Sequence, residues 1–223
     1  MKTTQVILGT GGIHSFGYEL VTALENYCSS VRLVIRNRVL LNGYSTWFQA
    51  DLTQPDPVNR AVNGCSVAYL TVGLPYQARV WEEQWPLIMQ NVIAACAAHN
   101  FKLVFLDNTC LYAQTSVGNI TERSAIHPPG RKGKVRLAIT RKLARGEKAQ
   151  WFANANRLHN FTYVPEAARA LAKLGNTPEA SNQVWHLPTN REPMNGKDWV
   201  EHIARKMGGV TGSLFYLPGL LPL

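Results

Sequence analysis

Apolar residues follow two alternating rhythms through the first half of the chain. Gln5–Gly9, Val31–Ile35, Trp47–Leu52, Val67–Val72 and Lys102–Leu106 are short, mostly continuous apolar runs. Their length suits strands, and without strict in-out alternation they read as strands buried on both faces. Between them the apolar positions fall three and four apart. Phe16, Leu20 and Leu24 predict a helix over Phe16–Asn26, and a shorter one is expected over Asp56–Asn63. Trp81, Trp85, Ile88, Val92 and Cys96 predict a long helix over Val80–His99. Strands separated by helices predict an α/β fold: a doubly wound parallel sheet with helices on both faces.

After Asn108 the pattern weakens. Thr115–Pro129 reads as loop, Lys132–Arg145 as a helix carrying Val135, Ile139 and Leu143 on one side, and Pro165–Leu174 as another helix. A strand is expected over Gln183–Leu187 and a helix over Lys197–Met207. The expected organisation is therefore a sheet-bearing part over residues 1–130 and a reduced part over 131–223, within one compact unit.

Composition narrows the class. With 223 residues, 46% hydrophobic and 17% charged, the chain is neither disordered nor a coiled coil. No apolar run approaches the ~20 residues of a membrane-spanning helix, and the strand pattern begins at Gln5, leaving no room for a secretory leader. The four cysteines lack metal-ligand spacing, so no metal site is expected, and they read as reduced thiols of a cytoplasmic protein. The net charge of +9 is concentrated in one place. Arg131, Lys132, Lys134, Arg136, Arg141, Lys142, Arg145 and Lys148 stand against Glu147 alone. The stripe holds no aromatic residue, which argues against nucleic acid. It reads as a solvated basic helix or as a local site for a phosphorylated ligand.

The first strand runs into Gly9-Thr10-Gly11-Gly12-Ile13-His14-Ser15-Phe16-Gly17 and then a helix. Glycines at a strand-to-helix turn let backbone approach a pyrophosphate that rests on the helix N-terminal amides. Glycines also make tight turns for steric reasons alone, but here the turn follows the first strand and opens an α/β series, which favours dinucleotide binding. The second strand ends in Arg36, Asn37 and Arg38 with no acid nearby. An acid there would accept a ribose 2′-hydroxyl, whereas a guanidinium suits a 2′-phosphate. NADP is thus favoured over NAD, with a solvent-exposed loop arginine as the plain alternative.

These motifs, with Ala50-Asp51-Leu52-Thr53, Asn91-Val92-Ile93, Val104-Phe105-Leu106-Asp107-Asn108, Leu111-Tyr112 and Phe161-Thr162-Tyr163-Val164, make the chain similar to a known family. It resembles the NAD(P)-dependent epimerases/dehydratases, in the extended or atypical branch of the short-chain dehydrogenase/reductases, with a Rossmann-like fold. The resemblance implies that Gly9, Gly12 and Gly17 cradle the pyrophosphate and that Asp51 and Leu52 flank the adenine. It places Thr71, Val72 and Gly73 along the nucleotide. The last glycine falls two residues later than the family's spacing.

The catalytic motif departs further. The family's Tyr-x-x-x-Lys pair falls on Lys132-Gly133-Lys134-Val135-Arg136, so Lys132 replaces the tyrosine and Arg136 the lysine. The usual Ser/Thr falls on Asn108, beside Thr109. Lys132 could exchange protons if neighbouring cations destabilise its ammonium, could bind an anion without chemistry, or could belong to a solvated basic face. The family's strand and helix after the catalytic segment have no room between Leu143 and Trp151. His159 stands where relatives carry an arginine for a nucleotide-sugar phosphate, which favours a smaller carbonyl or sugar-like substrate; the histidine itself reads more naturally as structural. The expected function is an NAD(P)-dependent oxidoreductase or epimerase acting on a small molecule, with a homodimer compatible with that reading. The alternative is a catalytically impaired NADP-binding sensor.

Overall fold

The computed structural model describes residues 3–9, 16–38, 43–75, 77–107, 124–128, 131, 134 and 163–187. Five strands, β1 (Thr4–Leu8), β2 (Ser30–Ile35), β3 (Ser45–Gln49), β4 (Cys65–Leu70) and β5 (Lys102–Phe105), form a parallel sheet in the order β3-β2-β1-β4-β5. Helices α1 (Phe16–Leu24), α2 (Pro55–Val62), α3 (Ala78–Ala98) and α4 (Val164–Gly175) flank it, and a short 3-10 turn covers Pro178–Ala180. The expected α/β architecture is present. Strand and helix ends shift by up to three residues, because sheet pairing rather than hydrophobicity decides where a strand stops.

The continuous apolar runs have a simple cause. Successive strand residues point to opposite faces, and both faces are covered. Val6, Leu8, Val34, Ala68 and Leu70 face α2 and α3, meeting Val58, Val62, Ile88, Met89 and Val92. Ile7, Leu33, Tyr69 and Val104 face the other way, onto Leu20 and Leu24 of α1 and Ala168 and Leu171 of α4. Each fully buried Val, Leu, Ile or Met among them contributes about 1.5–3 kcal/mol relative to exposure. Trp85 is completely buried and meets Trp81 and Phe105 edge-on, at centroid distances of 6.3 and 5.7 Å.

Helix α4 packs on α1 and so contributes to the core of the sheet itself. The chain returns to the sheet after residue 163. It is pinned there by polar groups that meet near Gln5 and Lys102, at the amino ends of β1 and β5, which the Tyr69 hydroxyl reaches from the carboxyl half of β4. Tyr69 Oη donates to Gln5 Oε1 at 3.0 Å, Asn176 Nδ2 donates to Tyr69 Oη at 3.1 Å, and Gln5 Nε2 donates to Asn176 Oδ1 at 2.6 Å. Lys102 Nζ, at the start of β5, donates to the carbonyls of Leu174 and Thr177, both at 2.9 Å, neutralising the carbonyl-rich end of α4. Burial raises the Tyr69 phenol far above its ordinary range, so it remains a protonated donor.

One expected element is corrected. Residues 183–187 form no strand. Gln183 and Trp185 instead turn back, donating to the carbonyls of Glu179 at 2.8 Å and Ala180 at 3.3 Å. Apolar content does not make a strand without a ladder partner, and these residues have none among those described. The expected helices over 132–145 and 197–207 lie largely or wholly outside the described residues. Among the described residues no helix is long and apolar enough to cross a membrane.

Candidate functional site

In the order β3-β2-β1-β4-β5 the connections leave β1 to one side and β4 to the other, so a crevice opens between their carboxyl ends. A cleft of about 210 Å³ lies at this end of the sheet. Its walls come from the ends of all four leading strands and from α3: Gly9, Val34–Asn37, Ala50–Thr53, Val72–Leu74, Gln84 and Ile88.

Gly9 is the residue on which the cleft turns. Its φ is +83°, in the left-handed region that strains any side chain. A Cβ there would also lie 2.5 Å from Val72 Cβ and 2.6 Å from Val72 Cα. The Val72 side chain therefore fills the space that a Cβ at position 9 would need, and only glycine lets β1 and the segment after β4 meet this closely. The Gly9 amide donates to Val34 O at 2.9 Å, and the Thr71 hydroxyl donates to the Gly9 carbonyl. Both polar groups of this peptide position are held from neighbouring strands. Gly17 is buried in the first turn of α1. Gly12 lies outside the described residues.

The segment after β3 supplies the polar wall. Asp51 Oδ1 accepts from the Thr53 amide at 2.9 Å and the Thr53 hydroxyl at 2.8 Å, an Asx turn that reverses the chain into α2. The Thr53 amide holds the Asp51 carboxyl below its ordinary range; its hydroxyl and the Arg36 guanidinium add to this, against the effect of burial. Asp51 is thus an anion, and only an acceptor, at neutral pH. Asn91 Nδ2 of α3 donates to Leu52 O at 3.1 Å, fixing this segment to the helix beside it. Arg36 is exposed at the rim, with Asn37 next to it.

Of the residues singled out in the sequence, Gly9, Arg36, Asp51, Leu52, Val72 and Gly73 come together in the cleft. Thr71, next to Val72, donates its hydroxyl to the Gly9 carbonyl. Asn108, Thr109, Lys132 and Arg136, and with them Cys110 and His159, lie outside the described residues. Two described neighbours bear on them. Asp107, immediately before Asn108, is a buried carboxyl at the end of β5. Arg131, beside Lys132, is engaged bidentately by Glu82 of α3 at 2.8 and 2.6 Å, so this cation is paired rather than free to repel a neighbouring ammonium. Sequence reasoning gave no role to Gln84 or Asn91. Both lie on the same side of α3 as Ile88, at spacings of four and three, a signal the helical periodicity already contained.

A parallel sheet in this order, covered on both faces and with its cleft at the switch point, defines a Rossmann-like doubly wound protein. No family model matches the sequence, and no curated protein matches it. Solved structures do share the fold. UDP-N-acetylglucosamine 4-epimerase from Bacillus cereus matches with a TM-score of 0.75 at 15% identity, over 95% of this chain and 88% of that one. The Bordetella bronchiseptica enzyme WbmG, solved in complex with NAD and UDP, matches with a TM-score of 0.78 at 12% identity, over 98% and 83%. A putative NAD-dependent epimerase/dehydratase from Methylobacillus flagellatus matches with a TM-score of 0.75 at 16% identity, over 98% and 86%. The chain thus has the fold of NAD-dependent epimerases/dehydratases. It is also shortened within that fold: 95% of its 223 residues span 88% of a chain of about 300, so much of the difference falls inside the matched region.

Proposed function

We propose that the protein binds a nicotinamide dinucleotide in this cleft and works as an NAD(P)-dependent oxidoreductase or epimerase on a small carbonyl or sugar-like substrate. The observation that carries this reading is the cleft at the switch point, which opens where Gly9, in the left-handed region, ends the run of β1. In a doubly wound sheet a pyrophosphate binds at this place, on the amides that open the helix following the first strand. In this reading Gly9, Gly12 and Gly17 form the pyrophosphate cradle, Asp51 and Leu52 flank the adenine, and Val72 and Gly73 line the nucleotide. Thr71 supports the cradle by holding Gly9. Arg36 takes a 2′-phosphate, which favours NADP over NAD.

The dinucleotide supplies hydride transfer; the chain places it, excludes water and moves a proton. Lys132 Nζ gives and takes that proton, Arg136 disfavours its charged form by like-charge repulsion, and Asn108 with Thr109 orients the substrate oxygen. UDP-linked sugars belong on the substrate panel beside simple carbonyl compounds, since the folds that match include enzymes solved with UDP or a UDP-sugar. The test is titration with NADPH and NADH, followed by turnover of that panel by wild type and Lys132→Met. Both cofactors should bind, NADPH more tightly, and the variant should lose turnover by ~10²–10⁴ while still binding cofactor. A folded protein that binds neither cofactor overturns the reading.

A further inference from the structure

Two neighbouring acids of α3 pair with arginines, and the pairs differ in reach. Glu83 accepts from Arg79 Nε at 2.7 Å, an ordinary pair four residues apart on one helix. Glu82 instead accepts from Arg131 Nε at 2.8 Å and Nη2 at 2.6 Å, across 49 positions. Two parallel bonds between a guanidinium and a carboxylate fix direction as well as distance. The anchor is rigid: Trp81 and Trp85 on the same helix are buried, and Trp81 Nε1 donates to Pro75 O at 3.0 Å. Gln84, two residues on, lines the cleft, so one helix carries both this pair and part of the cleft wall. From Arg131 to Lys148 the chain has eight basic residues and only Glu147 as an acid. A run of like charges repels itself, and this one has little counter-charge of its own. Glu82 brings that charge from another element.

We propose that Glu82 is a positioning residue for the candidate catalytic segment: by clamping Arg131 it fixes where that segment starts relative to α3 and the cleft. The inference rests on the reading above in which Lys132 exchanges the proton, and it adds the residue that holds the segment in place. Lys132 is joined directly to Arg131, so movement of one carries over to the other. Misplacing a reacting group by about 1 Å costs up to ~10²-fold in rate. Loss of one exposed pair loosens a segment without displacing it outright, so a smaller effect is expected here. Both partners are solvent-exposed, at 37% and 70% for the Glu82 and Arg131 side chains. The clamp therefore adds little to global stability, and its effect falls on placement.

The experiment compares wild type, Glu82→Gln and the reversed pair Glu82→Arg with Arg131→Glu. One readout is kcat, KM and NADPH affinity on the substrate panel. The other is independent of activity: the rate of trypsin cleavage after Lys134 and Arg136, which follows the population of the opened segment. Glu82→Gln should speed cleavage roughly two- to fivefold and lower kcat by a similar factor, the scale of an exposed ion pair. NADPH affinity and the denaturant midpoint should stay at the wild-type values. The reversed pair should restore both cleavage rate and kcat, which a merely structural role for Glu82 would not predict. Unchanged cleavage in folded Glu82→Gln overturns the inference. Faster cleavage with unchanged kcat in an active enzyme overturns the positioning role as well. If wild type turns over no substrate, the catalytic reading fails by itself, and the cleavage rates decide whether Glu82 holds the segment.

Discussion

The two ends of the same sheet are built on opposite principles. At the amino ends, polar groups close on one another: Gln5, Tyr69 and Asn176 form a ring of hydrogen bonds, and Lys102 satisfies the last carbonyls of α4. At the carboxyl ends, only glycine fits at position 9, Arg36 and Asn37 reach solvent, and Asp51 Oδ2 and the Gln84 amide make no hydrogen bond among the described residues. Glycine serves both ends through close approach. Gly175 lets α4 sit against the Tyr69 hydroxyl, where a Cβ would be 2.2 Å away, and Gly9 lets β1 meet Val72. Satisfied groups hold the fold together, whereas unsatisfied ones are available to a ligand. The amino end should therefore govern stability and the carboxyl end affinity.

Substitutions can break that division, and the largest effect is expected where the two roles meet. Gly9→Ala places a Cβ in the left-handed region and against Val72, costing about 2–4 kcal/mol of stability in strain and overpacking. It should also abolish nucleotide binding, as denaturant unfolding and NADPH titration would register. Retained affinity in that variant would remove the cradle from this end.

Arg36→Ala should act on affinity alone. Loss of a charge-assisted contact to a 2′-phosphate weakens NADPH by roughly ten- to a hundredfold with little change for NADH. Equal losses for both cofactors would detach Arg36 from the 2′ position. Added salt should diminish the wild-type preference, since the contact lies at an exposed rim.

At the other end, Tyr69→Phe leaves Gln5 Oε1 and Asn176 Nδ2 without the hydroxyl between them. A stability loss of about 1–2 kcal/mol should follow, read from the denaturant midpoint, with nucleotide affinity intact. A change in affinity larger than the change in stability would show that the ends are coupled.

The smallest effect concerns pH. The Asp51 carboxyl titrates lower in the folded protein than in the unfolded chain, so its contribution to stability is present at neutral pH and lost on acidification. The stability difference between wild type and Asp51→Asn should be constant near neutrality and shrink below about pH 4, the ordinary aspartate value. A difference that grows on acidification would contradict the Asx-turn assignment.

Much of this organisation is legible in the residues alone. Apolar runs of strand length alternating with helical spacing required a covered parallel sheet, because only burial on both faces removes the in-out alternation. Gly9 at the end of β1 and Arg36 at the end of β2 could be read locally. Both are set by residues adjacent in sequence. What could not be read locally was misjudged or missed. Residues 183–187 have strand composition yet form no strand, and the hydrogen bond from the Thr71 hydroxyl to the Gly9 carbonyl has no signature in the sequence. Gln84 shows no motif in sequence; it lines the cleft because α3 packs on the face that carries Val34 and Leu70.

The sequence by itself determined the elements, their alternation and the glycine at the end of β1, since these follow from side-chain periodicity and backbone freedom over a few residues. The tertiary structure alone decided that β1 lies between β2 and β4, which opens the crevice. It also brought Val72 onto Gly9, joined Tyr69 to Asn176 across 107 positions, and placed Gln84 of α3 and Asp51 along one cleft. The physical reason is that strand order and helix docking minimise exposed apolar area over the whole chain, a sum in which no local segment specifies its partners.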